Sequence, residues 1–107
     1  MRFINVLEGV PGETFKMDAS DAVQSITASE LVKGSTERKC TSVLITVEDA
    51  PLRYAYGGAD PAQDGSLGHI AEVGDIIQPN CYDQAASLQF INYTNGLDSK
   101  LMITVFF

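Results

Sequence analysis

Thr41-Ser42-Val43-Leu44-Ile45-Thr46-Val47-Glu48 is the stretch on which the fold class turns. Val43, Ile45 and Val47 alternate with Ser42, Thr46 and Glu48, the period of two expected of a strand with one face in a core. Leu44 falls among the polar positions, so the second face is expected to be partly covered as well. The three-residue link Asp49-Ala50-Pro51 follows, short enough for a hairpin or a strand bend. Beyond it Leu52, Tyr54 and Tyr56 alternate with Arg53 and Ala55.

The same pattern extends in both directions. Residues 67–79 read as two strands joined near Val73-Gly74-Asp75, where Gly74 can supply the positive φ of a tight turn. Ser87 to Tyr93 is a further expected strand, with Leu88 and Phe90 on one side and Ile91 and Tyr93 on the other. Asn95-Gly96 is a strong hairpin signal between it and a final strand, Lys100 to Phe107. In that last strand Leu101, Ile103, Val105 and Phe107 share one face, and Met102, Thr104 and Phe106 share the other. A strand apolar on both faces is buried twice over, or turns one face to another chain. Asp18 to Lys33 reads two ways. Ala22, Val23, Ile26 and Val32 partly fit a helical stripe that Asp18 or Ser20 would cap. Val23, Ile26, Thr27 and the surrounding Ser and Thr residues favour extended chain, and strand with loop is the expectation. Turn signals recur throughout and no linker or repeat interrupts them. The sequence therefore predicts an all-β protein with little or no helix. Residues 1–107 are expected to form a single small antiparallel β-sandwich, of jelly-roll or immunoglobulin-like type.

Charge and composition narrow the function. The chain has 107 residues, with 7 Lys and Arg against 14 Asp and Glu, a net charge of -7. A nucleic-acid partner would call for a basic patch, and an anionic membrane surface for the same, so neither is expected. No apolar run reaches the roughly 20 residues of a membrane span. The opening Met1-Arg2-Phe3-Ile4-Asn5-Val6-Leu7-Glu8 is interrupted by Asn5 and closed by Glu8, unlike a signal peptide. Synthesis in the cytoplasm follows, and Cys40 and Cys81 are expected to be buried free thiols.

Catalytic chemistry finds little purchase. His69 is the only histidine, which rules out a histidine-rich metal site and leaves one candidate base for any triad. Neither cysteine has a nucleophile's surroundings, and no phosphate-cradling glycine loop is present. Eight carboxylates lie between positions 48 and 98, opposed there only by Arg53, while most basic residues fall in the first forty positions. Asp60-Pro61-Ala62-Gln63-Asp64-Gly65 loosely invites calcium but lacks the alternating ligands and distal Glu of an EF-hand, so a solvated turn is expected. Tyr54, Tyr56 and Tyr82 are the residues a glycan-binding surface would use, although Trp is absent. No catalytic, cofactor or metal site is predicted, and the protein is not expected to be an enzyme.

The run Ile45 to Asp75 resembles a pattern found in small structural proteins of tailed bacteriophages. Its elements are a β-run ending before Ala50-Pro51, then Arg53-Tyr54, Gly58-Ala59-Asp60-Pro61, Gly68-His69 and Gly74-Asp75. A strand like Ser87-Leu88-Gln89-Phe90-Ile91 and a β-rich, aromatic C-terminus complete it, so that residues 41–107 are covered and the first forty are not. Gly57-Gly58 stands where an Asp-Gly turn would be expected. The resemblance implies a non-enzymatic virion protein, made in the bacterial cytoplasm and decorating the capsid as a cement. A neck, tail or baseplate protein is the alternative, and a host-glycan binding module is a second. The implied partners are the major capsid protein or another virion protein, and further copies of the chain.

Two groups of residues carry these expectations. Pro51, Gly58, Pro61, Gly68 and Gly74 are scaffold positions that set the strand ends, Asp60-Pro61 opening a turn. Phe3, Ile4, Val6, Met102 and Phe106 are candidate interface residues. The first three lie in the N-terminal forty residues, which would contact the capsid or a neighbour by adding a strand to a sheet edge.

Overall fold

The computed structural model describes residues 9–33 and 38–107. Phe3, Ile4 and Val6 lie outside the described residues. In chain order the strands are β1 (Phe15–Ala19), β2 (Gln24–Ser25), β3 (Val32–Lys33), β4 (Arg38–Lys39) and β5 (Ser42–Glu48). They continue with β6 (Leu52–Ala55), β7 (His69–Ala71), β8 (Ile76–Ile77), β9 (Gln89–Asn92) and β10 (Ser99–Phe106), and helix α1 (Tyr82–Ser87) precedes β9.

The alternation in β5 and β10 decides where the core sits. The two strands pair antiparallel with Leu101 opposite Val47, Ile103 opposite Ile45 and Val105 opposite Val43. All six side chains are buried. β1 adds to the free edge of β10, setting Phe15 against Ile103 and Met17 against Leu101, and β8 adds to β5 through Ile77 opposite Ile45. The resulting sheet has the order β1-β10-β5-β8, and a second sheet has the order β2-β9-β6-β7. Leu52, Ala71 and Phe90 of the second sheet join the same hydrophobic cluster as the first sheet's inner face. Two sheets sharing one core make a sandwich.

The order of the strands settles which sandwich this is. The links β1–β2, β5–β6, β7–β8 and β9–β10 each carry the chain from one sheet to the other. Each of these four pairs is thus split between the sheets, and the pairs occur in the same lateral order in both. That is the winding of an eight-stranded jelly roll rather than the immunoglobulin arrangement. β3 and β4 form a separate small ribbon between β2 and β5.

Several expected elements are corrected. Asn95-Gly96 does make a tight turn, with Leu97 N–H donating to Thr94 O at 3.0 Å. It is not a β-hairpin joining the strands on either side, because β9 and β10 lie in opposite sheets. Asp49-Ala50-Pro51 takes the second of its two expected forms, a bend rather than a hairpin, and carries the chain between sheets with Asp49 at φ 68° and Ala50 buried. The strands within 67–79 both form, and Gly74 adopts φ 93°, yet β7 pairs with β6 and β8 with β5. In each case local chemistry specifies a reversal, while the partner is chosen by which apolar face must be buried.

Helix α1 was not expected, and it displaces the start of the Ser87–Tyr93 strand to Gln89. The segment is short but well formed. The Gln84 side-chain oxygen accepts from Asn80 N–H at 2.8 Å, much as in a capping box, and Asp83 lies in the first turn. Ala85 is its buried residue. Within 18–33 the chain is strand and loop with one 3-10 turn, Ala28–Leu31, which buries Leu31. Cys40 is a buried thiol as expected, but Cys81 is exposed, because it stands at the start of α1 rather than in a strand.

Among the described residues Phe90 is the largest fully buried side chain. Truncating such a residue costs about 3–5 kcal/mol, against a total stability of about 5–15 kcal/mol for a domain. Phe90→Ala is therefore expected to lower the urea midpoint sharply. Leu97→Ala, at a position 53% exposed, is expected to leave the midpoint nearly unchanged.

Candidate functional site

Four parts of the structure hold chemistry-bearing groups. The outer face of the first sheet is one. Register places Met102 opposite Thr46, Thr104 opposite Leu44, Phe106 opposite Ser42 and Ile76 opposite Thr46. Met102, Phe106, Leu44 and Ile76 are each half-buried, so this face is a mosaic of apolar and hydroxyl side chains. The sequence expectation that Met102 and Phe106 share a face is met. That face is neither closed off like the inner one nor fully exposed. At one end Lys100 pairs with Asp49 at 3.2 Å, a surface ion pair of the kind worth about 0–1 kcal/mol.

The second part is a carboxylate junction centred on Asp21. Its Oδ1 accepts from Gly96 N–H at 2.8 Å, from Asn92 Nδ2 at 2.7 Å and from Gln63 Nε2 at 3.2 Å. With its amide nitrogen turned inward, Asn95 also donates to both carboxylate oxygens, at 3.0 and 3.2 Å. Gln63 Nε2 additionally donates to Asn92 Oδ1. One carboxylate thereby joins the β1–β2 link, the long loop after β6, the end of β9 and the β9–β10 turn. It also partners Asn92, which is completely buried and whose amide nitrogen would otherwise be left without an acceptor. The hydrogen bonds from Gly96, Asn92 and Gln63, in that order, hold the Asp21 carboxyl below its usual range despite some desolvation. With its oxygens engaged in this way, Asp21 acts as a structural tie between these segments.

The third part is the loop from Gly57 to Gly68 and the scaffold positions it contains. Gly57 and Gly58 both take positive φ as the chain leaves β6, and Pro51 immediately precedes that strand. Pro61 is buried, and the expected Asp60-Pro61 turn forms slightly later, where Gly65 N–H donates to Ala62 O at 3.1 Å. Gly68, at φ 116°, sits where a Cβ would lie 3.0 Å from Pro61 Cβ and 3.4 Å from Arg53 Cβ. Glycine is needed here both for conformation and for space. Arg53 runs beneath the loop, donating to Gly68 O at 3.4 Å and placing its guanidinium 5.0 Å from the Tyr93 ring. The Ser66 hydroxyl, and after it the Ser66 N–H that donates to Asp64 at 2.8 Å, lower the Asp64 carboxyl pKa, and Arg53 adds to the effect. The Asp60–Gly65 stretch is thus organised by its own hydrogen bonds. Among the described residues no three His, Cys, Asp or Glu side chains gather as metal ligands.

The fourth part is a cleft of about 530 Å³ at the end of the sandwich where β6 and β8 leave their sheets. Tyr56, Asn80, Asp83, Gln84 and Ser87 line it, with Gln78 and the Gly57 backbone at its sides. The three tyrosines singled out in the sequence part company here. Tyr56 stands in the cleft, 39% exposed. Tyr54 packs against the core and meets Tyr56 edge-on at 6.0 Å and His69 at 5.4 Å. Tyr82 is half-buried under Lys39, whose Nζ lies 4.8 Å from its ring centre. Burial, and secondarily Tyr54, push the Tyr56 phenol pKa up. Gln78, Asn80 and Gln84 carried no signal in the sequence, because their meeting depends on α1.

No protein-family model, curated protein or solved structure matches the chain. Among the described residues no helix is long and apolar enough to cross a membrane.

The Asp21 junction gives a pH prediction. A carboxyl whose pKa is lower folded than unfolded stabilises the fold above the unfolded value, 3.8, and loses that contribution as pH falls through the folded value. The melting temperature of Asp21→Ala is expected to lie below that of the parent protein at neutral pH. The gap should close as the pH is taken below 3.8. Parallel thermal melts across that range check it.

Proposed function

We propose that the chain is a non-enzymatic structural subunit of a tailed-bacteriophage virion, acting as a capsid decoration protein. The observation that carries this reading is the jelly-roll winding, the same lateral strand order in both sheets, an architecture that recurs in viral capsid domains. Fold alone does not assign function. The fold-level analogy is joined here by the resemblance of residues 41–107 to small tailed-phage structural proteins. The elements of that resemblance fall on β5, β6 with the loop after it, β7 and the turn before β8.

Physical circumstances favour association. A domain of this size buries only about 60–70% of its unfolded surface and is marginal alone. Contacts repeated over a symmetric shell add avidity without strengthening any single contact. In this reading the Met102–Phe106 face of the first sheet seats a second copy of the chain. Its mixed apolar and hydroxyl surface suits a contact formed after folding better than a permanently buried one. The acidic surface elsewhere would meet basic patches on the shell.

Two measurements test this. Quantifying the protein in purified particles should give a copy number near that of the major capsid protein, and heads lacking it should rupture more readily. A few copies confined to the tail would move the assignment to the neck or tail. Phe106→Ser should shift sedimentation toward the monomer while leaving the thermal unfolding transition cooperative. Loss of the folded state in that variant would make the face part of the core and remove the interface.

A further inference from the structure

The cleft beside α1 has a chemically selective lining. Among the described residues no lysine or arginine lines it, so an anionic ligand such as a phosphate would find Asp83 and no opposing charge. No aliphatic side chain lines it either, which disfavours a lipid tail. What remains is one half-exposed aromatic ring, three side-chain amides, a carboxylate and a hydroxyl. Amides and carboxylates offer the paired donors and acceptors that match adjacent hydroxyl groups. An aromatic face packs against the C–H face of a sugar ring, its amphipathic body covering the apolar side. A small set of convergent polar groups beside an aromatic wall, in a cleft within the usual range of ligand sites of about 300–1,000 Å³, is the composition of a small-molecule site.

The polar groups are also held in place. Gln84 has its side-chain oxygen committed to Asn80 N–H at 2.8 Å, which leaves its amide nitrogen as a donor. Ser87 Oγ accepts from Gly57 N–H at 3.1 Å and donates to Gln84 O at 3.2 Å, locking the Gly57-Gly58 turn onto the end of α1. Gly58 N–H donates to Ser87 O at 3.1 Å, and Gln89 donates to Gly58 O at 3.2 Å, closing the same corner. Tyr54, packed edge-on against Tyr56, restricts how far that ring can swing. Such pre-organisation lowers the ordering cost of binding.

We infer that this cleft binds a neutral saccharide, with Tyr56 as the stacking platform and Asp83 and the Gln84 amide nitrogen as the hydroxyl partners. It rests on the lining of the cleft and not on the virion assignment, although Gln78 and Asn80 follow β8 along β5 toward Ser42, which pairs with Phe106 on its other side.

The test is a titration of the isotopically labelled protein with glucose, N-acetylglucosamine and a neutral glucan trisaccharide, followed by amide chemical shifts. At least one sugar is expected to shift the amides of Gly57, Asn80, Asp83 and Gln84 with millimolar affinity, leaving those of β1 and β10 in place. Tyr56→Ala and Asp83→Ala alter side chains at exposed positions and are expected to keep the native amide spectrum. Each should weaken binding at least tenfold, while Tyr56→Phe should retain most of it. Gln84→Ala is the poorer variant, because it also frees the Asn80 backbone. The inference is overturned if none of the three sugars shifts these amides, or if binding survives Tyr56→Ala. It is equally overturned if tetramethylammonium shifts them and sugars do not, since Tyr56 with Asp83 would then form a cation site.

Discussion

The pairing of Ser42–Glu48 with Lys100–Phe106 is the contact on which the remaining structure is assembled. It joins segments more than fifty residues apart and places Val43, Ile45 and Val47 beside Val105, Ile103 and Leu101 on one continuous buried face. A slip of one residue would turn that face outward and bring Glu48, Lys100 and the threonines inward, so burial holds the register. β1 and β8 add to the two outer edges of this pair, and the whole second sheet, through Leu52, Ala71 and Phe90, packs against the surface it creates. Because the pairing is so distant in sequence, the fold is dominated by non-local contacts, a feature associated with slow folding.

A jelly roll asks the chain to cross repeatedly between sheets without leaving polar groups unsatisfied. Here the β5–β6, β7–β8 and β9–β10 crossings are short, while β2–β5 and β8–β9 run through the β3–β4 ribbon and α1. Asp49 takes a left-handed conformation beside a buried Ala50, and Gly74 N–H donates to Val47 O at 2.8 Å as the chain returns. At the opposite turn the Asp21 carboxylate gathers the β9–β10 reversal and the buried Asn92 into one hydrogen-bonded junction. The β7–β8 and β9–β10 crossings are thus stabilised by groups contributed from elsewhere in the chain. Turn chemistry alone, such as Asn95-Gly96, could mark the reversal without naming the sheet that follows it.

The candidate sites differ in how far they could be seen in the linear chain. Met102 and Phe106 were legible, because period-two alternation places them together on the face opposite Leu101 and Ile103 whatever the topology. Tyr56 was legible as an aromatic worth attention, though not as distinct from Tyr54 and Tyr82, since each tyrosine's surroundings depend on what packs over it. Asp21 looked like any polar loop residue. Its four partners come from positions 63, 92, 95 and 96, and only the winding brings them within reach. Helix α1 was missed for a related reason. Tyr82–Ser87 is too short for a hydrophobic period to declare itself, and a helix of that length depends on capping by Gln84 and on burying Ala85.

What the amino-acid order determined by itself was the class of structure. Alternating apolar residues in 43–47, 52–56 and 101–107, bounded by glycine, proline and Asx turns, leave a sandwich of antiparallel strands as the arrangement that buries them, because a strand hides one face at a time and needs another sheet to cover it. Tertiary structure alone decided the rest: jelly roll rather than immunoglobulin order, which strands meet across the turns, and which polar side chains converge on Asp21 and in the Tyr56 cleft. These depend on contacts between residues far apart in sequence. Local propensity carries no information about such contacts until the shared core has drawn the segments together.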